Sequence, residues 1–222
     1  MVMEVLATKS RMKQDVIART RESFSLIKSE LKALTDELGP AIGERDPRLK
    51  VEYKDHGELS TQADIAGDSV IFTMHTNVFR LDQSNSLWKA SYLSEDEQRG
   101  YFGIVNVYNF LKDSFALNRD RDIGYLVARL MLNKDGHFFV QGKRQLGFLY
   151  NDLADNVLDA AQVKAFLFSV VLYVLDFDLL TPPYDQVNQV TVEELKELNA
   201  NSMITTGKRL GFQFQADLGE VT

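Results

Sequence analysis

Apolar and polar positions alternate most clearly between Asp122 and Leu146. The run Ile123-Gly124-Tyr125-Leu126-Val127-Ala128-Arg129-Leu130-Met131-Leu132 precedes Asn133-Lys134-Asp135-Gly136, and His137-Phe138-Phe139-Val140-Gln141-Gly142 follows it. The four central residues suit a type I turn closed by Gly136 in the left-handed conformation, which glycine adopts without steric cost. The stretch therefore predicts a β-hairpin, with Asn133 opposite His137, Met131 opposite Phe139, Arg129 opposite Gln141 and Val127 opposite Lys143. The other parity pairs Leu132 with Phe138, Leu130 with Val140 and Ala128 with Gly142. Side chains alternate between the faces of a strand. Leu130, Leu132, Phe138 and Val140 thus make an apolar face that must be covered. The second face is mixed, with Tyr125, Met131 and Phe139 beside Arg129, Gln141 and Lys143. Such a face is either a solvated sheet surface or a docking surface.

Elsewhere the pattern is helical or alternating by turns. Phe24, Ile27, Leu31, Leu34 and Leu38 recur at three-four spacing and predict a helix over 4–38, stopped by Gly39-Pro40 and followed by a loop over 41–47. That helix either covers the sheet or sends its first half to a partner. Leu49, Val51 and Tyr53 alternate with Lys50, Glu52 and Lys54, and Leu59, Thr61, Ala63 and Ile65 alternate with Ser60, Gln62 and Asp64, as half-buried strands do. Val70–Leu81 reads as a third strand of a meander. Residues 82–100 read as an irregular segment carrying Trp88 and Tyr92. Ile104, Val107, Tyr108, Leu111 and Phe115 predict a helix over 102–118. Ala160–Leu175 is apolar almost all round and predicts a nearly buried helix. Thr191-Val192-Glu193-Glu194 has capping-box spacing and predicts a short helix to Asn199, and 201–222 carries no strong pattern.

These elements give an α+β chain: an antiparallel sheet, made of a three-strand meander plus the hairpin, packed against helices and preceded by a long N-terminal helix. The expected parts are the N-terminal helix (1–40), an α+β core (41–185), and a short helix with a tail (186–222). In element order, most closely from Tyr108-Asn109-Phe110 through the hairpin to Leu175, the chain resembles the type III secretion chaperone-like fold, including the YbjN-like bacterial regulators. The resemblance covers about residues 20–185. It implies an α/β sandwich, often dimeric, that binds another protein and turns over no substrate. It transfers no functional residue, because those families lack a sharp motif.

Composition narrows the classes. The chain has 222 residues, no cysteine and a formal net charge of −7. Without cysteine, disulfides and thiolate metal sites are excluded, which fits a cytoplasmic protein. No secretory signal pattern is visible. The longest apolar run, Ala165–Leu175, falls short of the roughly 20 residues that span a bilayer. Residues 151–200 carry nine Asp or Glu and two Lys, so the rest of the chain is near neutral. That balance argues against a broad nucleic-acid surface, although Lys9, Arg11, Lys13, Arg19 and Arg21 form a local basic cluster.

Candidate chemistry is sparse. Gln141-Gly142-Lys143 after Asp122 echoes a metal-dependent nuclease pattern, in which carboxylates hold Mg²⁺ and a lysine steadies developing charge. Parity puts Asp122 on the opposite face, and glutamine replaces a charged ligand. His56, His75 and His137 have no partner at metal-ligand spacing. Asp176 and Asp178 could take a cation, but a solvated helix end with a nearby Arg or Lys is the plainer reading. No phosphate-cradling loop or nucleophile elbow is present. The sequence therefore points to a protein-binding adaptor or chaperone-like regulator without catalytic activity, metal or cofactor. Its partner is another protein or a second copy, engaged through Tyr125, Arg129, Met131, Phe139, Lys143 and Trp88. A metal-dependent nuclease or other phosphodiester-cleaving enzyme, and a structural subunit of a larger assembly, are the alternatives.

Overall fold

In the computed structural model, which describes residues 2–178 and 183–193, the apolar stripe of the N-terminal helix decides where the sheet lies. A turn of helix, α1 (Val2–Val5), and a π-helical turn (Leu6–Ser10) lead into α2 (Arg11–Arg45). Met12, Val16, Phe24, Ile27, Leu31 and Leu34 are buried along it. The expected stop at Gly39-Pro40 does not occur. The helix runs through both residues to Arg45, and the expected loop begins only at Asp46, whose N–H bonds the Ile42 carbonyl. Proline removes one helical hydrogen bond, but Asp36, whose carbonyl loses its donor, lies on the exposed side. Gly39 serves contact rather than termination: a Cβ there would stand 2.9 Å from the Val51 carbonyl oxygen.

The remaining elements follow in order. They are β1 (Val51–Asp55), β2 (Ser60–Ile65), β3 (Asp68–Met74), β4 (Phe79–Arg80), α3 (Ser91–Glu95), β5 (Tyr101–Leu111), α4 (Lys112–Ala116), β6 (Tyr125–Leu132), β7 (Phe138–Gly142), α5 (Gln145–Phe148), α6 (Ala160–Leu175) and α7 (Tyr184–Val187). The strands form one antiparallel sheet in the order β1-β2-β3-β5-β6-β7, with β4 pairing β5 beyond the end of β3. The arrangement is α+β, as the pattern predicts. Two assignments change. The expected strand Val70–Leu81 is interrupted at residues 75–78 and becomes β3 and β4. The expected helix over 102–118 is the long central strand β5, followed by a five-residue α4. Val, Ile, Tyr and Phe at 101–110 favour a strand. Both faces of β5 are packed over residues 102–105, so its apolar positions do not alternate cleanly and coincide with a helical stripe.

The sheet's inner face carries the main core. The hairpin register is observed as expected for its five central pairs, from Ala128 with Gly142 to Leu132 with Phe138, and Gly136 has φ +82°. Leu130, Leu132, Phe138 and Val140 are buried with Phe24, Ile27 and Leu31 of α2 and with Val163, Phe166 and Val170 of α6. Where α2 crosses β5, the approach is so close that a Cβ on Gly103 would lie 1.9 Å from the Thr20 hydroxyl. Helix α6 is capped by Asp159, which accepts from the Gln162 N–H at 2.7 Å. It is not buried all round as expected, because Phe168, Leu172 and Leu175 are exposed. Among the described residues, no helix is long and apolar enough to cross a membrane. The tail past Glu193, including nearly all of the helix expected from Thr191, lies outside the described residues.

The two sheet edges differ: the β7 edge is bonded along its length, and β1, itself largely exposed, has α2 packed against it. The segment after α5 lies along β7, where the N–H groups of Phe138 and Val140 donate to the carbonyls of Asn156 and Tyr150. Beside β1 runs the second half of α2, with Gly39 against Val51 and Lys28 reaching Asp55 at 2.7 Å. A bonded edge such as β7 resists strand addition, and the outer face of the sheet offers a further open surface.

Candidate functional site

The outer face is built in rows, because antiparallel register sets side chains of like parity side by side. One row reads Ser60, Thr73, Asn106, Arg129, Gln141 across β2, β3, β5, β6 and β7. All five side chains can hydrogen-bond, and each is half-buried or exposed. With strands about 4.8 Å apart, the row spans about 19 Å. Arg129 is fixed within it: its Nε–H donates to the Asn106 side-chain oxygen at 3.1 Å. Two residues along β3 and β5, Ile71 pairs with Tyr108, and Tyr108 pairs with the exposed Leu126. The open surface thus couples a polar row to an apolar and aromatic one.

On the other side of the polar row lies a covered one. Ile104, Met131 and Phe139 are buried with Phe102, Leu81, Leu93 and Leu153, beneath Leu87, Trp88 and Tyr92. The Trp88 indole packs against Gly100, where a Cβ would come within 2.2 Å of the ring, and its N–H donates to the Asp82 carbonyl at 2.9 Å. This covering segment is clamped to the hairpin turn. Arg99 pairs with Asp135 at 3.1 Å and stacks on the Tyr92 ring, Lys134 pairs with Asp96 at 3.0 Å, and the Asn133 amide donates to the Tyr92 hydroxyl at 3.0 Å. Burial pushes the Tyr92 phenol up, and the Asn133 hydrogen bond only partly counters it.

The expected binding residues therefore separate. Met131, Phe139 and Trp88 are brought together, but as a second core. Arg129 stays on the open face. Lys143 is exposed past the end of β7, so its expected pairing with Val127 is not formed. Tyr125 changes faces. A bulge between Val107 and Tyr108 absorbs Val127, so that Leu126 pairs with Tyr108 and Tyr125 with Asn109. One extra residue reverses parity beyond it, and the Tyr125 ring lies 6.2 Å from Phe177 at the end of α6.

Next along β2 is a polar cluster that simple alternation assigns to solvent. Gln62, Asp64 and Ser69 are buried. The Asp64 carboxylate accepts from Lys54 at 2.7 Å, Ser69 at 2.6 Å and Gln62 at 2.5 Å, and Gln62 bonds His56 at 2.8 Å. Burial alone raises this carboxyl; the bonds from Lys54, Ser69 and Gln62 outweigh it and hold it below the usual range. Its donors saturate it, so it stands as a structural anion.

The other candidates are engaged too. Asp122 takes the Ser114 hydroxyl at 2.6 Å and pairs with the buried Arg119 at 3.1 Å. Asp176 pairs with Arg144, the cation expected near that helix end. His137 stacks on Tyr92 and bonds the Leu153 carbonyl, and His75 meets the Phe79 ring edge-on. Among the described residues, no three His, Cys, Asp or Glu side chains are grouped to hold a metal. Ser60, Thr73 and Asn106 escape sequence reading as a set. The first two look like ordinary solvent positions, and Asn106 sits in the stretch that reads as helix. Compared with known proteins, the chain matches no family model, no curated protein and no solved structure.

Proposed function

We propose that this chain is a protein-binding adaptor or chaperone-like regulator, without catalytic activity, that receives a partner protein on its outer sheet face in the cytoplasm. The observation that carries the reading is the cross-strand row from Ser60 to Gln141, left open between the Trp88 segment and the Lys54–Asp64 cluster. A row of side-chain donors and acceptors next to Tyr108, Ile71 and Leu126 supplies the mix of hydrogen bonding and apolar area that protein interfaces use. The bonded β7 edge beside Gln141 favours this face over strand addition there as the contact. The reading does not lean on the resemblance to the type III secretion chaperone-like fold, since the helix expected between the two sets of strands is β5. A second copy of the chain is the alternative occupant. The nuclease reading finds no support at Asp122, whose carboxylate is held by Ser114 and Arg119.

The test is site-directed photo-crosslinking in the full chain within its native cell. A photoreactive residue at Thr73 or Gln141 is expected to capture a discrete protein adduct, whereas the same residue at the exposed Glu37 of α2 is not. Adducts equal in yield at all three positions, or none at Thr73 and Gln141, would remove the outer face as a docking surface. Mg²⁺-dependent release of nucleotides by the purified chain would reinstate the enzyme reading.

A further inference from the structure

We infer that the outer face selects a carboxylate: the partner segment lying on the polar row carries an Asp or Glu that pairs with Arg129. The inference rests on the docking reading above and names the chemistry of its partner. Its starting point is an imbalance of charge. Lys54 has Asp64 at 2.7 Å, and Lys112 has Glu52 at 3.9 Å. Arg129 is flanked on β5 and β7 by the neutral Asn106 and Gln141. Its side-chain hydrogen bond is to the neutral Asn106, and it makes no ion pair among the described residues.

Asn106 occupies Nε–H and fixes the guanidinium plane, leaving the two Nη groups to face a second acceptor. A planar, weakly hydrated fork suits a carboxylate, which it engages with two parallel bonds. Thr73 and Ser60 continue the row with hydroxyls and Gln141 ends it with an amide. Those groups match the donors and acceptors of a peptide main chain. Ile71, Tyr108 and Leu126 then take an apolar side chain of the same segment. A nucleic acid fits the row less well. Phosphate binding scales with the number of cations engaged, while the row holds one and the chain carries −7 overall.

The experiment uses the full chain and fluorescein-labelled peptides of tandem Ser-Glu-Leu-Gly repeats, with Ser-Gln-Leu-Gly repeats as the neutral counterpart. Anisotropy titrations are expected to show the Glu peptide binding at least about tenfold more tightly, the usual scale of a charge-assisted pair, with an advantage that shrinks as salt is added. Arg129→Gln is expected to remove the preference without shifting the melting temperature, and Arg129→Lys to keep part of it. Equal binding of the two peptides to the native chain overturns the carboxylate inference and leaves the docking reading standing. Binding of neither overturns the inference too, and the crosslinks at Thr73 and Gln141 then decide docking separately. A preference that survives Arg129→Gln places the selecting cation elsewhere and also overturns it.

Discussion

Arg129 and Met131 sit two residues apart on the same face of β6, yet one lies in an open polar row and the other in a sealed core. What separates them is the segment from Leu81 to Gly100, which lays Leu93 and Trp88 over Ile104, Met131 and Phe139 and stops short of Asn106 and Arg129. The face is divided by how far a loop reaches. The clamp that sets the reach is made of Arg99–Asp135, Lys134–Asp96 and Asn133–Tyr92, all at the hairpin turn. An aromatic on a strand thus becomes core or interface according to what a distant stretch covers.

The sharpest way to break this contrast is to truncate on each side of the boundary. Phe139→Ala should cost about 3–5 kcal/mol and Leu130→Ala about 2–5 kcal/mol, the ranges for large core truncations. Urea melts read both. If Phe139→Ala left the midpoint unchanged, the outer face would not be sealed over this row.

Next in size is Gly103→Ala. Its Cβ would meet Thr20, so α2 must shift from β5, at about 1–3 kcal/mol for overpacking. Combining it with Thr20→Ala should recover part of that loss in a double-mutant cycle. Simple additivity would show that the close approach of helix and sheet is not the cause.

The buried Asp64 gives a pH test of similar size. Its folded carboxyl is held below the ordinary range, so its contribution is fully present above the unfolded value and is lost as pH falls through the folded one. Asp64→Ala strands the buried donors of Gln62 and Ser69, at about 1–3 kcal/mol near neutrality. The gap between native and variant stability should narrow as the pH falls below about 4, the unfolded Asp value. A constant gap down to pH 2 would place the carboxylate's contribution elsewhere.

The smallest effect belongs to the open row. Arg129→Gln should change stability by no more than about 0.5 kcal/mol, as for a surface position outside any buried network, while altering partner capture. A large loss of stability there would make Arg129 part of the fold.

Where local pattern is strong and one face is dry, the amino-acid sequence by itself determined the result. Alternation and Gly136 fixed the hairpin register and put Leu130, Leu132, Phe138 and Val140 inside; three-four spacing fixed the buried stripe of α2; and apolar content marked α6. Tertiary structure decided the rest, because the deciding contacts join residues far apart in the chain. β5 is a strand since β3 and β6 bond to both its sides, and both its faces are packed over residues 102–105, which erases the period-two signal there. Helix α2 passes Gly39-Pro40 since the chain there lies against Val51. A single bulge at Val127 carries Tyr125 to the inner face. Asp64 is interior because Lys54, Gln62 and Ser69 converge on it from three strands. The row of Ser60, Thr73, Asn106, Arg129 and Gln141 exists only once five strands are in register, so no local window of sequence contains it.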